Sequence, residues 1–124
     1  MIIRGITNDL LGLAIQATAL RDLVYSHNIA NNDTPRFKKF EVHFEDSLQR
    51  IRENYNKTGE LNTSRFQPVI KRVHTNLSTR IDGNNVDINE ESILQYRNAI
   101  VYDALVNSLV ANRQLHSTVY NNLK

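Results

Sequence analysis

The side chains of this 124-residue sequence that are capable of metal, nucleophilic or acid–base chemistry are few and scattered. There is no cysteine, which removes disulfides, thiolate metal sites and a cysteine nucleophile. The four histidines are His27, His43, His74 and His116, and no two of them stand at metal-ligand spacing beside a carboxylate. His27 falls on an apolar helical stripe and reads as a packed, hydrogen-bonded histidine rather than a ligand. Glu90 and Glu91 are adjacent, but carboxylates at the head of an apolar helical run mark a helix start, where the dipole favours anions. Gly5, Gly12, Gly59 and Gly83 form no phosphate-cradling loop. No catalysis, cofactor or small-molecule substrate is expected.

"PRFKKF", residues 35–40, interleaves Arg36, Lys38 and Lys39 with Phe37 and Phe40. Such a pattern can stack on single-stranded bases and neutralise phosphate. Its footprint is small, however, and Glu41, Glu45 and Asp46 follow at once. The segment reads as a solvated turn with both phenylalanines packed inward, and no nucleic-acid partner is expected. What remains is amide chemistry. Asn28, Asn31 and Asn32 stand just before Pro35, and their side chains can bond backbone groups, their own or a neighbour's.

A long helix must position those amides. Ile3, Ile6, Leu10, Leu13, Ala17, Leu20 and Val24 follow a 3-4 spacing, a heptad-like stripe that His27 and Asn31 continue. Thr7 or Asn8 can cap its start. Pro35 pushes Thr34 out of helical geometry, so the helix should end between Asn31 and Asp33. Phe37, Phe40, Val42 and Phe44 alternate loosely and suggest an extended stretch. A short helix over about 45–57 carries Leu48, Ile51 and Tyr55 and stops at Gly59. "VIKRVH", residues 69–74, has the look of a short strand within a loop that runs to residue 85.

The last segment carries the strongest signal. Asp87 or Asn89 can cap a helix reaching about residue 121, and "AIVYDALVNSLVA", residues 99–111, is apolar nearly all the way round. A helix of that length spans about 50 Å, whereas a compact chain of this size has a radius of gyration of about 14 Å. The fold class is therefore mainly α, an elongated single unit. Residues 1–33 form the first helix, 34–88 an extended and looped middle with the short helix, and 89–122 the last helix. Faces left bare must be covered by other copies or by a partner. Leu10, Leu13, Ala17, Leu20 and Val24, with Ile100, Leu105 and Leu109, are the expected assembly interface.

Composition bounds the alternatives. Net charge is only +2, although the isoelectric point is near 9.0, too weak a bias for a dedicated nucleic-acid binder. No apolar run approaches the roughly 20 residues of a membrane span. Arg4, "LLGLAI" and Ala17-Thr18-Ala19 imitate a signal peptide, but the apolar run is short and Asn8-Asp9 interrupt its approach. An amphipathic helix start is the expectation, with no cleaved signal.

"SHNIANNDTPRFK" resembles the N-terminal signature of the bacterial flagellar axial proteins, roughly A-N-N-I-A-N-x-x-T-P-G-Y-K. Asn28, Ile29, Ala30, Asn31, Thr34, Pro35 and Lys38 match; His27, Arg36 and Phe37 depart from it. Arg36 stands where the family has glycine, so a different turn is expected there. Near the other end, Asn84, Val86 and Asp87 fit the N-x-V-D box that precedes the family's long C-terminal helix. The two motifs lie about 50 residues apart, too close for the inserted domains of the hook and distal-rod relatives, so the chain looks most similar to the small proximal-rod members.

The resemblance implies terminal helices packed as a coiled-coil-like unit in a self-assembling periplasm-spanning rod, and subunits exported through the flagellar type III channel. It also implies partners: further copies, other proximal rod proteins, the rod-to-ring adaptor and the membrane ring. It casts the opening motif as a rigid joint between an inner helical layer and an outer wall. The residues by themselves leave two other classes open, a helical adaptor or coiled-coil module and a small nucleic-acid-binding protein.

Overall fold

The computed structural model describes residues 2–74 and 80–123, with side chains from residue 6 onward. Helix α1 covers Ile2–Ala30, strand β1 Phe40–His43, helix α2 Glu45–Thr58, strand β2 Val69–Arg72 and helix α3 Ile88–Asn122, with one 3₁₀ turn at Thr63–Arg65. At 35 residues α3 is about 53 Å long. It runs antiparallel to α1. Asn28 meets Glu91, Asp22 and Ser26 meet Gln95, and Thr18 meets Asn98, so one number falls as the other rises. The part of the expected loop at 75–79 and the Ile3 end of the stripe lie outside the described residues and side chains.

Two faces of α1 do different work. Ala14 and Thr18 are buried on the side where Asn98 of α3 donates to the Thr18 carbonyl at 2.8 Å. Their small size lets the helix backbones approach. Ala17 faces the middle segment and forms a core with Val42 and Phe44, against which Leu20, Val24, Leu48 and Phe66 pack. The first stripe is thus covered largely by the chain itself. Ala17 is 1% exposed and sealed in this core, so it is withdrawn from the expected assembly interface, and Leu20 and Val24 are largely spent on the same cluster. Periodicity announces that a stripe is covered; it does not say by what.

The expected cap at Thr7 or Asn8 is not a helix start, because α1 runs through both. A cap is worth about 1 kcal/mol and nothing upstream breaks the helix, so local preference yields. At α2 the local signals hold. Gly59 takes φ 73°, and its N–H donates to the Tyr55 carbonyl at 2.8 Å, closing the helix where glycine alone adopts that geometry cheaply.

The β1–β2 pair is antiparallel, with Phe40 opposite Arg72 and Val42 opposite Ile70. Its inner edge is completed by side chains of α1. Asn28 accepts from the Phe40 N–H at 2.9 Å and donates to the Phe40 carbonyl at 2.8 Å, replacing both bonds of a neighbouring strand. Arg21 donates to the Val42 carbonyl at 2.6 Å, stacks on Phe44 and pairs with Glu45 at 2.8 Å.

Partial burial pushes the Glu45 carboxyl upward, but the hydrogen bonds from Arg21 and the Phe44 amide outweigh it and carry it from 4.5 down to about 2. A carboxylate held low in the folded state stabilises it above the unfolded value and loses that stabilisation as pH falls. Glu45→Gln is therefore expected to be less stable than wild type above pH 4.5, with the difference fading as pH drops toward 2. The Glu45 side chain is 61% exposed, so solvent screening keeps the effect below about 1 kcal/mol. Urea midpoints at both ends of that window measure it; a difference that does not change with pH would mean the pair is not formed.

Candidate functional site

The two motifs that stand far apart in sequence meet in space. Helix α1 ends at Ala30, and the carbonyls of His27, Asn28 and Ile29 accept from the amides of Asn31 and Asn32. Asn84, wholly buried, holds the turn that follows from the far side of the chain. Its amide nitrogen lies 2.8 Å from the Asn31 carbonyl, 3.0 Å from that of Asn32 and 2.9 Å from that of Thr34. Its oxygen accepts from the Val86 N–H at 2.7 Å, which fixes the turn into α3. Val86 is buried, and Asp87 caps α3 by accepting from the amides of Asn89 and Glu90. The motif asparagines add local bonds. Asn31 donates to the His27 carbonyl at 2.8 Å and accepts from the Thr34 hydroxyl at 3.0 Å.

A second layer lies one turn deeper. Glu91 is 1% exposed, one of its oxygens accepting from Asn28 at 2.9 Å and the other facing Lys39 at 3.3 Å. Lys39 also faces Glu90 at 3.6 Å. Burial works against the charge of Lys39, yet the carboxylates of Glu91 and Glu90 prevail and hold its pKa above the ordinary lysine value. Asn85 occupies the end of the β ladder. It accepts from the Lys39 N–H at 2.7 Å and donates to the Val73 carbonyl at 2.9 Å. Lys38 donates to the Gly83 carbonyl at 2.6 Å. Both lysines of "PRFKKF" are consumed inside the subunit, which removes them from any phosphate-binding surface. Phe37 and Phe40 pack with His27 as a ring cluster, centroids 5.7 to 6.1 Å apart.

No protein-family model matches the chain. Relatives of known name do. Over 124 aligned residues it is 36% identical to the flagellar basal body rod protein FlgB of Borrelia hermsii, across 87% of each chain. It is 34% identical over 107 residues to FlgB of Borreliella burgdorferi, covering 75% of this chain and 79% of that protein. FlgB of Bacillus subtilis is 30% identical over 100 residues, with 75% and 76% covered. The chain belongs to the FlgB family of flagellar basal body rod proteins.

Within this FlgB-family fold the motif residues hold unequal positions. Asn28, Asn84 and Val86 are buried at the joint; Ile29, Asn31, Phe37 and Lys38 are half-buried around it; Ala30, Thr34 and Pro35 lie at its exposed rim. His27 is exposed, and its ring packs on Phe37 and Phe40, the packed histidine its place on the stripe suggested. Arg36 corrects an expectation. It adopts φ 61°, the left-handed geometry a glycine would take, and so keeps the turn that its side chain was expected to change. Its N–H is held by the Asp82 carbonyl at 2.9 Å and the next amide by the Thr34 carbonyl, so neighbours impose the conformation. A left-handed arginine is disfavoured by about 1 kcal/mol or more. Arg36→Gly should relieve that strain, offset in part by its freer unfolded chain, whereas Arg36→Val should lose about 1–2 kcal/mol. Thermal melts of the two variants test this; a valine variant as stable as glycine would contradict it.

Glu91, Lys39, Asn85 and Asn98 escaped the sequence reading. Glu91 satisfied a local rule as a first-turn acid, which hid its burial. One signal was present: Glu91, Asn98 and Leu105 stand at seven-residue intervals, so two polar side chains occupy the face that packs on α1.

Proposed function

We propose that the chain is a structural subunit of the proximal rod of the flagellar basal body, built to assemble with copies of itself and with other rod proteins. Membership of the FlgB family over most of the chain carries this reading. The surface supports it. Ile93 is 55% exposed, Ile100 54% and Leu115 62%, all on α3, and Leu23 of α1 is 66% exposed. A helix with apolar side chains on its outer faces gains by being covered. Leu10, Leu13, Leu105 and Leu109 are half-buried, Leu10 beside Leu48 of α2, and Ile100 is exposed, so these five are the members of the expected interface still available to neighbours.

On this reading the joint is what makes the terminal motifs matter for assembly. It fixes how β1 and α2 leave the helix pair, so every copy presents the same outer segment. The partners of this reading are further copies, other proximal rod proteins, the rod-to-ring adaptor and the membrane ring, and the chain would reach them by type III export. No nucleic acid takes part. The test is a strain lacking the chain and complemented with a tagged copy. Motility should return, with the tag in purified basal bodies. A motile complemented strain whose tag is absent from basal bodies would refute the proposal.

A further inference from the structure

The outer edge of β2 and the cleft beside it are not used by the joint. Three side chains, Arg50, Arg65 and Lys71, converge from α2, the 3₁₀ turn and β2 on a cleft of about 450 Å³. None of the three has an ion pair or hydrogen bond among the described residues. One carboxylate, Asp46, shares the lining.

The strand beside them has an open edge. Val73 donates its N–H to the Lys39 carbonyl at 2.9 Å, and backbone groups alternate in direction along an antiparallel ladder. The amides and carbonyls of Val69 and Lys71 therefore face β1, and those of Ile70 and Arg72 face outward. The same alternation turns the backbone groups of Phe40 and Val42 away from β2, where Asn28 and Arg21 meet them. One edge of the two-stranded sheet is closed by side chains, while the other has no strand beside it among the described residues. Val69 and Ile70 on that edge are 44% and 50% exposed.

We propose that β2 and its basic cleft receive an extended acidic segment of a different polypeptide, which adds a third strand at Ile70 and Arg72 and sets carboxylates against Arg50, Arg65 and Lys71. Addition of a strand supplies main-chain bonds, and the charge supplies selection. Charge complementarity requires an acidic occupant. This chain does not offer one: its adjacent carboxylates, Glu45-Asp46 and Glu90-Glu91, both lie within helices. A nucleic acid fits poorly, because Asp46 would face its phosphates and no tyrosine or phenylalanine lines the cleft for stacking.

The competing explanation is that Lys71 and Arg72 merely protect an open edge from aggregation. A labelled alternating valine–glutamate hexapeptide, titrated onto the full chain and read by fluorescence anisotropy, separates the two. Binding should weaken at least about tenfold in Arg50→Glu/Arg65→Glu, which removes favourable charge. Ile70→Pro should abolish it while helix content is kept, since proline deletes only an outward-facing donor there. An undiminished affinity in both variants, or no binding to wild type, would overturn the proposal. So would equal affinity for a valine–lysine peptide or for an oligodeoxynucleotide of matched charge. Charge reversal that alters self-association in sedimentation would make the occupant a second copy, and would likewise overturn it.

Discussion

Asn84→Leu should destabilise the folded chain by about 3–5 kcal/mol, among the largest effects of any single substitution outside the apolar core. The side chain is wholly buried and bonds the backbone at four points. An ordinary hydrogen bond contributes only about 1 kcal/mol net, but a buried carbonyl left without a donor loses about 1–3 kcal/mol more. The Asn31 and Thr34 carbonyls keep the backbone amides of Thr34 and Phe37, but the Asn32 carbonyl and the buried Val86 N–H both lose their partner. The effects overlap and do not simply add. Asn84→Asp separates chemistry from shape. It keeps the oxygen that accepts from Val86 but turns a second oxygen on the three carbonyls, and should be at least as damaging as leucine. Urea unfolding followed by circular dichroism gives both values. An aspartate variant close to wild type would mean that the site needs only a side chain of that volume.

Leu105→Asp should abolish incorporation into basal bodies while the subunit is still made and exported. Leu105 lies at the α1–α3 seam, and its neighbours Val101 and Tyr102 are 48% and 37% exposed. A leucine side chain contributes about 1.5–3 kcal/mol when fully buried, and an unpaired carboxylate in its place adds a desolvation penalty. In a repeating assembly every copy carries that loss. The proposed type III export would pass the chain unfolded and should be indifferent to it. Leu105→Asn serves as a milder control and should assemble poorly rather than not at all. Fractionation of cells into cytoplasm, secreted protein and basal bodies decides the matter. Wild-type amounts of Leu105→Asp in basal bodies would mean that this part of α3 faces solvent in the rod.

Both effects depend on features that the sequence reveals unequally. Asp87, followed by two acids and an apolar run, announces a capped helix because capping is local. Gly59 announces the end of α2 for the same reason. The partnership of Asn84 with Asn31, Asn32 and Thr34 spans 50 to 53 residues, and no local rule encodes it. Only the resemblance of two motifs hints that they belong together. Glu91 shows the opposite failure. A carboxylate in a first helical turn is favourable in solvent, so its position needs no further explanation until the chain reversal at Pro35 brings Lys39 and Asn28 to it. The stripe through Ala17, Leu20 and Val24 was legible as buried. Its cover was not, because β1 is only four residues long and β2, also four, is exposed throughout. Arg36 adopts a glycine's backbone conformation because Asp82 and Thr34 hold the amides on either side of it, a constraint that no residue preference can express.

Asn28 and Glu91 form a buried polar lock that ties the first motif to the head of α3. A double-mutant cycle measures it most directly. Wild type, Asn28→Ala, Glu91→Ala and the double variant are unfolded in urea under identical conditions. Direct contact at 2.9 Å with both side chains buried should give a coupling energy of about 1–3 kcal/mol, the double variant being less damaged than the two single losses together. Additive losses would contradict the lock, and Asn28 and Glu91 would then be independent fixtures of β1 and α3.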